Sequence, residues 1–216
     1  MTWWIIICSV IIGYLLGSVS ASVIVSELVY KGDVRKFGSG NAGATNMARV
    51  YGWKGGLVVL LCDVAKAVVA MLGAYFMGYI GDKTNAHGVD YMCIAGAACC
   101  LGHAFPVFFK FKGGKCVTVG AAVAFMMDWK VFLVVIAAFL IVVAITKIVS
   151  ISSITAAACL PVSYSLFGTF NLTDLYYSKL LLCLFVGILV IALHYKNIIR
   201  LFKGEEKKFS FKKKSD

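Results

Sequence analysis

The chain has 216 residues, 61% of them hydrophobic, with a formal net charge of +11 and a mean hydropathy of +0.91. Soluble domains are roughly 45–50% apolar, so this composition excludes a soluble globular protein and specifies a polytopic membrane protein. The basic residues lie in short stretches beside apolar runs rather than on a soluble module with interleaved aromatics. That excludes nucleic acid and leaves anionic lipid and anionic substrates as partners.

Apolar stretches cover residues 3–29, 57–80, 91–109, 114–127, 131–146, 148–170 and 180–195. A helical crossing takes about 20 residues, so at least five of these span, and the short fourth and fifth read as a pair. Lipid leaves no backbone group unsatisfied, and alternating strands are lacking, so the runs are helices. The expected fold class is an all-α polytopic membrane protein with seven transmembrane helices. A single integral domain covers residues 1–202, and a basic tail at 203–216 is solvated or lies on the lipid surface.

The opening Met1-Thr2-Trp3-Trp4 carries no basic residue, which argues against a cleaved signal and for an outer N-terminus. Lys31, Arg35, Lys36, Arg49 and Lys54 fill the first loop, Lys110, Lys112 and Lys115 the third, and eight Lys and Arg residues from Lys196 to Lys214 the C-terminal stretch. Loops 81–90, 128–130 and 168–179 are poorer in Lys and Arg and carry Asp82, Asp90, Asp128 and Asp174. The positive-inside rule then sets the N-terminus outside and the C-terminus in the cytoplasm.

Seven of the eight cysteines fall within apolar runs, as small packing residues, and no C-x-x-C pair has matching histidines. Neither a disulfide framework nor a metal site is expected, and no cofactor is called for. Cys116 lies beside a lysine in a polar loop, where packing is again the expected role.

Three polar clusters interrupt the apolar pattern. Gly38-Ser39-Gly40-Asn41-Ala42-Gly43-Ala44-Thr45-Asn46, followed by Arg49, combines small residues with dense side-chain donors. Such a loop lets backbone N–H groups approach an anion while hydroxyl, amide and guanidinium groups supply directed bonds. It lacks the Gly-Lys-Ser/Thr ending and preceding strand of a P-loop, which excludes nucleotide binding in that style. The second cluster runs from Gly102-His103 through Pro106 to Lys112-Gly113-Gly114-Lys115, placing a histidine near a helix end beside a flexible cationic turn. The third, His194, Asn197 and Arg200, shares one helical face by its spacing. Asp63 and Lys66 form a charge pair inside the second apolar run, where charge is expensive and faces the protein interior, and bracing the site is their expected role.

In order, spacing and residue type these clusters resemble the motifs of the bacterial acyl-phosphate glycerol-3-phosphate acyltransferases over nearly the whole length. The carrying segments are Gly38 to Arg49, Gly102-His103-x-Phe105-Pro106 with Phe111-Lys112-Gly113-Gly114-Lys115, and His194-x-x-Asn197-Ile198-x-Arg200-Leu201 with Gly204 and Glu206. The chain departs from the family at Cys116-Val117-Thr118, which moves a hydroxyl by one position, and at Ala67, where the family has glycine after Asp-x-x-Lys.

The resemblance implies transfer of a fatty acyl group from acyl phosphate to the 1-hydroxyl of sn-glycerol 3-phosphate, giving lysophosphatidic acid and phosphate. This is the first step of phospholipid synthesis, on the cytoplasmic side of a bacterial membrane. Its partners are glycerol 3-phosphate, acyl phosphate and membrane lipid, and a monomer suffices. Ser39, Arg49 and Lys112, with Lys115 beside them, are expected to hold the glycerol 3-phosphate phosphate. Asn41, Asn46 and the Gly40 and Gly43 backbones are expected to polarise the acyl phosphate. His103 hydrogen-bonds acyl phosphate or assists proton movement, His194 and Asn197 complete the wall, and Gly38, Thr45, Gly113 and Gly114 complete the binding set. Catalysis falls to His103, Asn41 and Ser39.

Two other classes compete. An acyl-CoA acyltransferase would carry Asp five positions after a histidine, but His87, His103 and His194 are followed there by Met92, Phe108 and Ile199. A transporter of phosphate or an organophosphate would place its polar groups near mid-membrane in repeated halves, whereas here they gather at one face without an evident repeat.

Overall fold

The structure, a computed structural model, describes residues 2–81, 88–168 and 174–208. The central parts of two loops, with Asp82 and His87, and the tail from residue 209, with Lys212, Lys213 and Lys214, lie outside the described residues.

Among the described residues every regular element is helical. The α-helices are α1 (Trp3–Ser18), α2 (Ala21–Tyr30), α3 (Ala44–Tyr51), α4 (Trp53–Gly81), α5 (Gly88–Ala104), α6 (Val117–Met127), α7 (Trp129–Thr146), α8 (Val149–Phe167), α9 (Asp174–Leu193) and α10 (Tyr195–Phe202), and two short 3-10 turns lie in the loops. Six segments among the described residues are long and apolar enough to cross a membrane: Trp3–Tyr30, Trp53–Gly81, Gly88–Phe109, Trp129–Thr146, Val149–Phe167 and Tyr176–Leu193. The fourth apolar stretch supplies only α6, whose 11 residues rise about 16 Å at 1.5 Å each, half of a hydrocarbon core.

The first apolar stretch, continuous in hydropathy, is broken in the structure. Val19 and Ser20 adopt extended conformations between α1 and α2. The Ser18 hydroxyl accepts a bond from the Val107 amide (3.3 Å), tying the break to the loop after α5. The break also leaves the Val19 carbonyl free to accept from Lys66 Nζ at 2.9 Å.

α1 and α5 run parallel in close contact, with the Thr2 amide on Tyr91 Oη (2.6 Å) near one end and Tyr14 Oη on the Phe105 carbonyl (2.8 Å) near the other. Small residues permit this approach: a Cβ on Gly17 would strike the Cys99 carbonyl, and one on Gly102 the Tyr14 carbonyl. α4 runs the opposite way, its Gly78 against Tyr91 and its Lys66 against Val19. The core is built of Met71, Cys99, Cys100, Val119, Val123, Cys183 and Val186, all fully buried or nearly so. Leu61, Ile141, Ile145, Leu181 and Ile188 stay exposed on outer faces, as suits side chains solvated by lipid. All eight cysteines are free.

This arrangement brings the end of α1, the end of α5, the start of α8 and the end of α9 to one end of the bundle. All three polar clusters lie there.

Candidate active site

The first loop begins where α2 stops at Lys31, in the left-handed conformation (φ 56°). Asp33 caps the 3-10 turn Val34–Lys36 by accepting from the Arg35 amide (2.9 Å), and it also receives Arg35 Nε and Nη2 (3.0 and 2.8 Å). That bond, against the cost of burial, holds the Asp33 carboxyl below its usual range. Arg35 Nη1 reaches across to the Phe109 carbonyl (3.0 Å), joining the first and third loops.

Gly38 is left-handed (φ 64°), and a Cβ there would run into Asn46 Oδ1. Asn46 is buried and commits its amide to the loop: Nδ2 donates to the Val34 and Phe37 carbonyls (both 3.1 Å) and Oδ1 accepts from the Ser39 amide (2.8 Å). Its role is therefore to shape the loop. The side chains of Ser39, Asn41, Thr45 and Arg49 line the cavity and have no hydrogen-bond partner among the described residues. α3 starts immediately after Gly43, so the unpaired N–H groups of its first turn lie at the cavity edge.

In the second cluster the Gly114 amide donates to the His103 carbonyl (3.0 Å), folding the loop back onto the end of α5. A methyl on Gly114 would strike His103 Nε2 and come within 2.9 Å of the Ala42 carbonyl. Glycine is thus required where the lysine loop passes between the histidine and the first loop. Lys115 lines the cavity and donates to Asn197 Oδ1. Burial, then the nearby Arg200 and Arg49, pull its ammonium down from 10.5 to about 8, with Glu206 opposing. Cys116 is buried, its thiol donating to the Cys100 carbonyl (3.0 Å), which makes it a packing residue.

The last apolar run turns at His194 (φ −93°, ψ 8°), between α9 and α10. His194 Nδ1 lies 2.7 Å from the Val190 carbonyl, and a carbonyl only accepts, so Nδ1 donates. Asn197, 5% exposed, donates through Nδ2 to Glu206 Oε1 (2.6 Å), which also accepts from Ser150 Oγ (2.9 Å). Arg200 Nε donates to Glu206 Oε2 (2.6 Å). Burial acts to raise the Glu206 carboxyl, but the bonds from Arg200, Asn197 and Ser150 prevail and hold it below 4.5.

These groups surround a cavity of about 650 Å³. Gly38, Ser39, Asn41, Gly43, Thr45, Asn46, Arg49, His103, Lys115, His194 and Asn197 line it, so residues from all three clusters meet. Four expected residues do not: Gly40, Lys112 and Gly113 line a second pocket of about 420 Å³ with Asp33, Arg35, Lys36 and Lys110, and Gly114 lines neither, packing against His103 instead. Lys110 and Phe111 are both left-handed and reverse the chain there, which separates Lys112 from Lys115. The structure thus places Lys115, and not Lys112, beside Arg49 in the cavity. Thr118, Ser150, Ser153 and Glu206 are cavity residues that sequence reasoning did not select. Ser150, Ser152 and Ser153 at the start of an apolar run were the available signal. Beyond the polar mouth the lining turns apolar, with Val64, Val68, Phe125, Phe132 and Phe139 from α4, α6 and α7. Among the described residues no group of three or more His, Cys, Asp or Glu could hold a metal ion.

Fold and site together define an integral membrane enzyme whose cavity joins a cationic mouth to an apolar interior. A family model for glycerol-3-phosphate acyltransferase matches residues 7–204, and the chain belongs to that family. It is 37% identical to the glycerol-3-phosphate acyltransferase of Chlorobaculum tepidum, over 95% of this chain and 97% of the relative. It is 41% identical to that of Coxiella burnetii over 94% and 97%. Among solved structures it matches PlsY, described as an integral membrane glycerol 3-phosphate acyltransferase, in its glycerol 3-phosphate form (TM-score 0.82, 32% identity, 95% of this chain and 96% of that one). The lysophosphatidic acid form matches with a TM-score of 0.79. The protein is an acyltransferase.

Proposed function

We propose that this enzyme transfers a fatty acyl group from acyl phosphate to the 1-hydroxyl of sn-glycerol 3-phosphate, releasing lysophosphatidic acid and phosphate as the first step of membrane phospholipid synthesis. The observation that carries this reading is the composition of the cavity wall. Arg49, without a partner among the described residues, and Lys115 sit with Ser39, Asn41 and Thr45 at the mouth, and phenylalanines and valines line the interior. A phosphate ester and a fatty chain need those two surfaces in one space.

In this reading Arg49, Lys115 and Ser39 hold the glycerol 3-phosphate phosphate. The start of α3, with Asn41 and His103, receives the acyl phosphate, since a helix N-terminus favours an anion. The glycerol oxygen attacks the acyl carbonyl carbon, the new ester bond forms, and the bond from that carbon to the phosphate oxygen breaks. The electron pair leaves with phosphate, which also carries away the hydroxyl proton. An acyl phosphate is already activated, so positioning and charge uptake suffice and no protein nucleophile is required.

The same reading sets seven crossings, with α6 as a short fourth one, an outer N-terminus, a cytoplasmic C-terminus and a cytoplasmic active site in the bacterial membrane. The concentration of Lys and Arg at the cavity end supports it. The protein is proposed to act as a monomer. Proteoliposomes given external labelled glycerol 3-phosphate and acyl phosphate test the function: label is expected in lysophosphatidate within the lipid. Label accumulating unchanged in the lumen would replace the reading with transport.

A further inference from the structure

Asp63 and Lys66 sit in the membrane-crossing part of α4 with side chains 2% and 8% exposed, paired at 2.8 Å, and neither lines the cavity. Charges at that depth are costly and mark function or a bracing network. An ammonium has three donors and no lone pair. The Lys66 ammonium has three acceptors: the Val19 carbonyl at 2.9 Å, Asp63 Oδ1 at 2.8 Å and His103 Nδ1 at 3.0 Å. The first exists because the helix breaks between α1 and α2.

This saturation decides the tautomer of His103. Nδ1 faces a group that cannot accept, so it presents its lone pair, and the proton of the neutral ring is on Nε2. Asp63 Oδ1 is 3.5 Å from Nδ1, beyond the roughly 3.2 Å reach of a good N–H···O bond and farther than Lys66 Nζ at 3.0 Å, so the lysine is the closer partner of Nδ1. Asp63 Oδ2 accepts from Thr118 Oγ1 (3.4 Å), so the carboxylate is itself anchored to a cavity residue. His194 is held the other way: its Nδ1 donates to Val190, which leaves a lone pair on Nε2.

We infer that Asp63 and Lys66 are positioning residues that hold His103 as a neutral Nε2–H donor. In the proposed transfer, on which this inference rests, His103 therefore donates a hydrogen bond to the acyl phosphate and does not take up the glycerol hydroxyl proton. The two cavity histidines are a matched pair, one offering a proton and the other a lone pair.

The test reads the tautomer directly. The chain has three histidines, so the full protein carrying ¹⁵N-histidine in lipid nanodiscs gives three pairs of ring signals, and the pair lost in His103→Gln belongs to His103. The expected result at pH 7 is a bare Nδ1 and a protonated Nε2, with the tautomers mixing in Lys66→Met. In turnover, Lys66→Met and Asp63→Asn are expected to lower kcat by roughly 10²-fold with KM for glycerol 3-phosphate little changed. Lys66→Arg, which keeps a donor toward Nδ1, restores part of the loss. A wild-type His103 protonated at Nδ1, or on both nitrogens, overturns the inference. So does a folded Lys66→Met enzyme with unchanged tautomer and kcat. Because the spectrum is taken without substrate, absence of acyl transfer by the wild type would sink the transfer reading and leave the tautomer result separately legible.

Discussion

Arg49 carries a full charge at the cavity wall without a carboxylate or carbonyl partner among the described residues. A guanidinium left in that condition is ready for an anion. Charge-assisted hydrogen bonds contribute about 1.5–3 kcal/mol each. Arg49→Ala is therefore expected to lower kcat/KM for glycerol 3-phosphate by roughly 10–150-fold, with Arg49→Lys intermediate because it loses the planar fork; steady-state kinetics check both. Lys115, drawn down to about 8 by burial and then by Arg200 and Arg49, is charged below pH 8 and neutral above. Phosphate binding favours the charged form, so affinity is complete below that value and falls as pH rises through it. KM for glycerol 3-phosphate should climb above pH 8, approaching about tenfold per unit, and Lys115→Arg should flatten the climb. Glu206 has the opposite sign. Its folded value lies below 4.5, so the bonds to Ser150, Asn197 and Arg200 are complete above pH 4.5 and fail as pH falls through the lower folded value. Ser39, Asn41, Arg49 and Lys115 were legible in the sequence because polar donors crowd short segments between apolar runs. Glu206 was visible only as a motif residue and Ser150 not at all, since their partnership depends on α8 approaching the turn after α10. Asn46 was visible as a site residue, but its use in shaping the loop follows only from how residues 34–39 curl around it.

At the scale of elements, the apolar stretches located the helices, while hydropathy concealed the break at Val19 and Ser20, which are flanked by helix on both sides. Periodicity cannot report a break whose freed groups are satisfied by a distant lysine and the Val107 amide. Lys112 shows the same limit: it is three residues from Lys115, yet the left-handed pair Lys110 and Phe111 sends it to a different pocket. The glycines set the spacing between elements. Gly114→Ala places a methyl against His103 Nε2, and a displacement of about 1 Å at a reacting centre can cost roughly 10²-fold in rate. A kcat loss of that order, with an unchanged melting curve in detergent, is the expected outcome. Gly17→Leu acts on the fold instead, driving side-chain atoms into the Cys99 backbone. Overpacking of this kind costs about 1–3 kcal/mol, so thermal unfolding should show a lowered midpoint and weakened α1 to α5 packing.

For the molecule as a whole, the bundle presents lipid with an apolar exterior and gathers its polar chemistry at one end. That division was legible from composition and charge alone, because the cost of burying polar groups in hydrocarbon leaves few alternatives. The joining of the cationic mouth to the apolar interior was not, since it needs α4, α6, α7 and α8 to enclose one space. This joined cavity underlies the central claim, that a water-soluble phosphate ester meets a lipid-borne acyl donor. The decisive measurement is turnover by the purified protein in a lipid phase, with labelled glycerol 3-phosphate and palmitoyl phosphate, palmitoyl-CoA or palmitoyl-carrier protein supplied separately. The account predicts lysophosphatidate from palmitoyl phosphate alone, with one phosphate released per product. Equal transfer from a thioester donor, or none from palmitoyl phosphate by the folded protein, would contradict it.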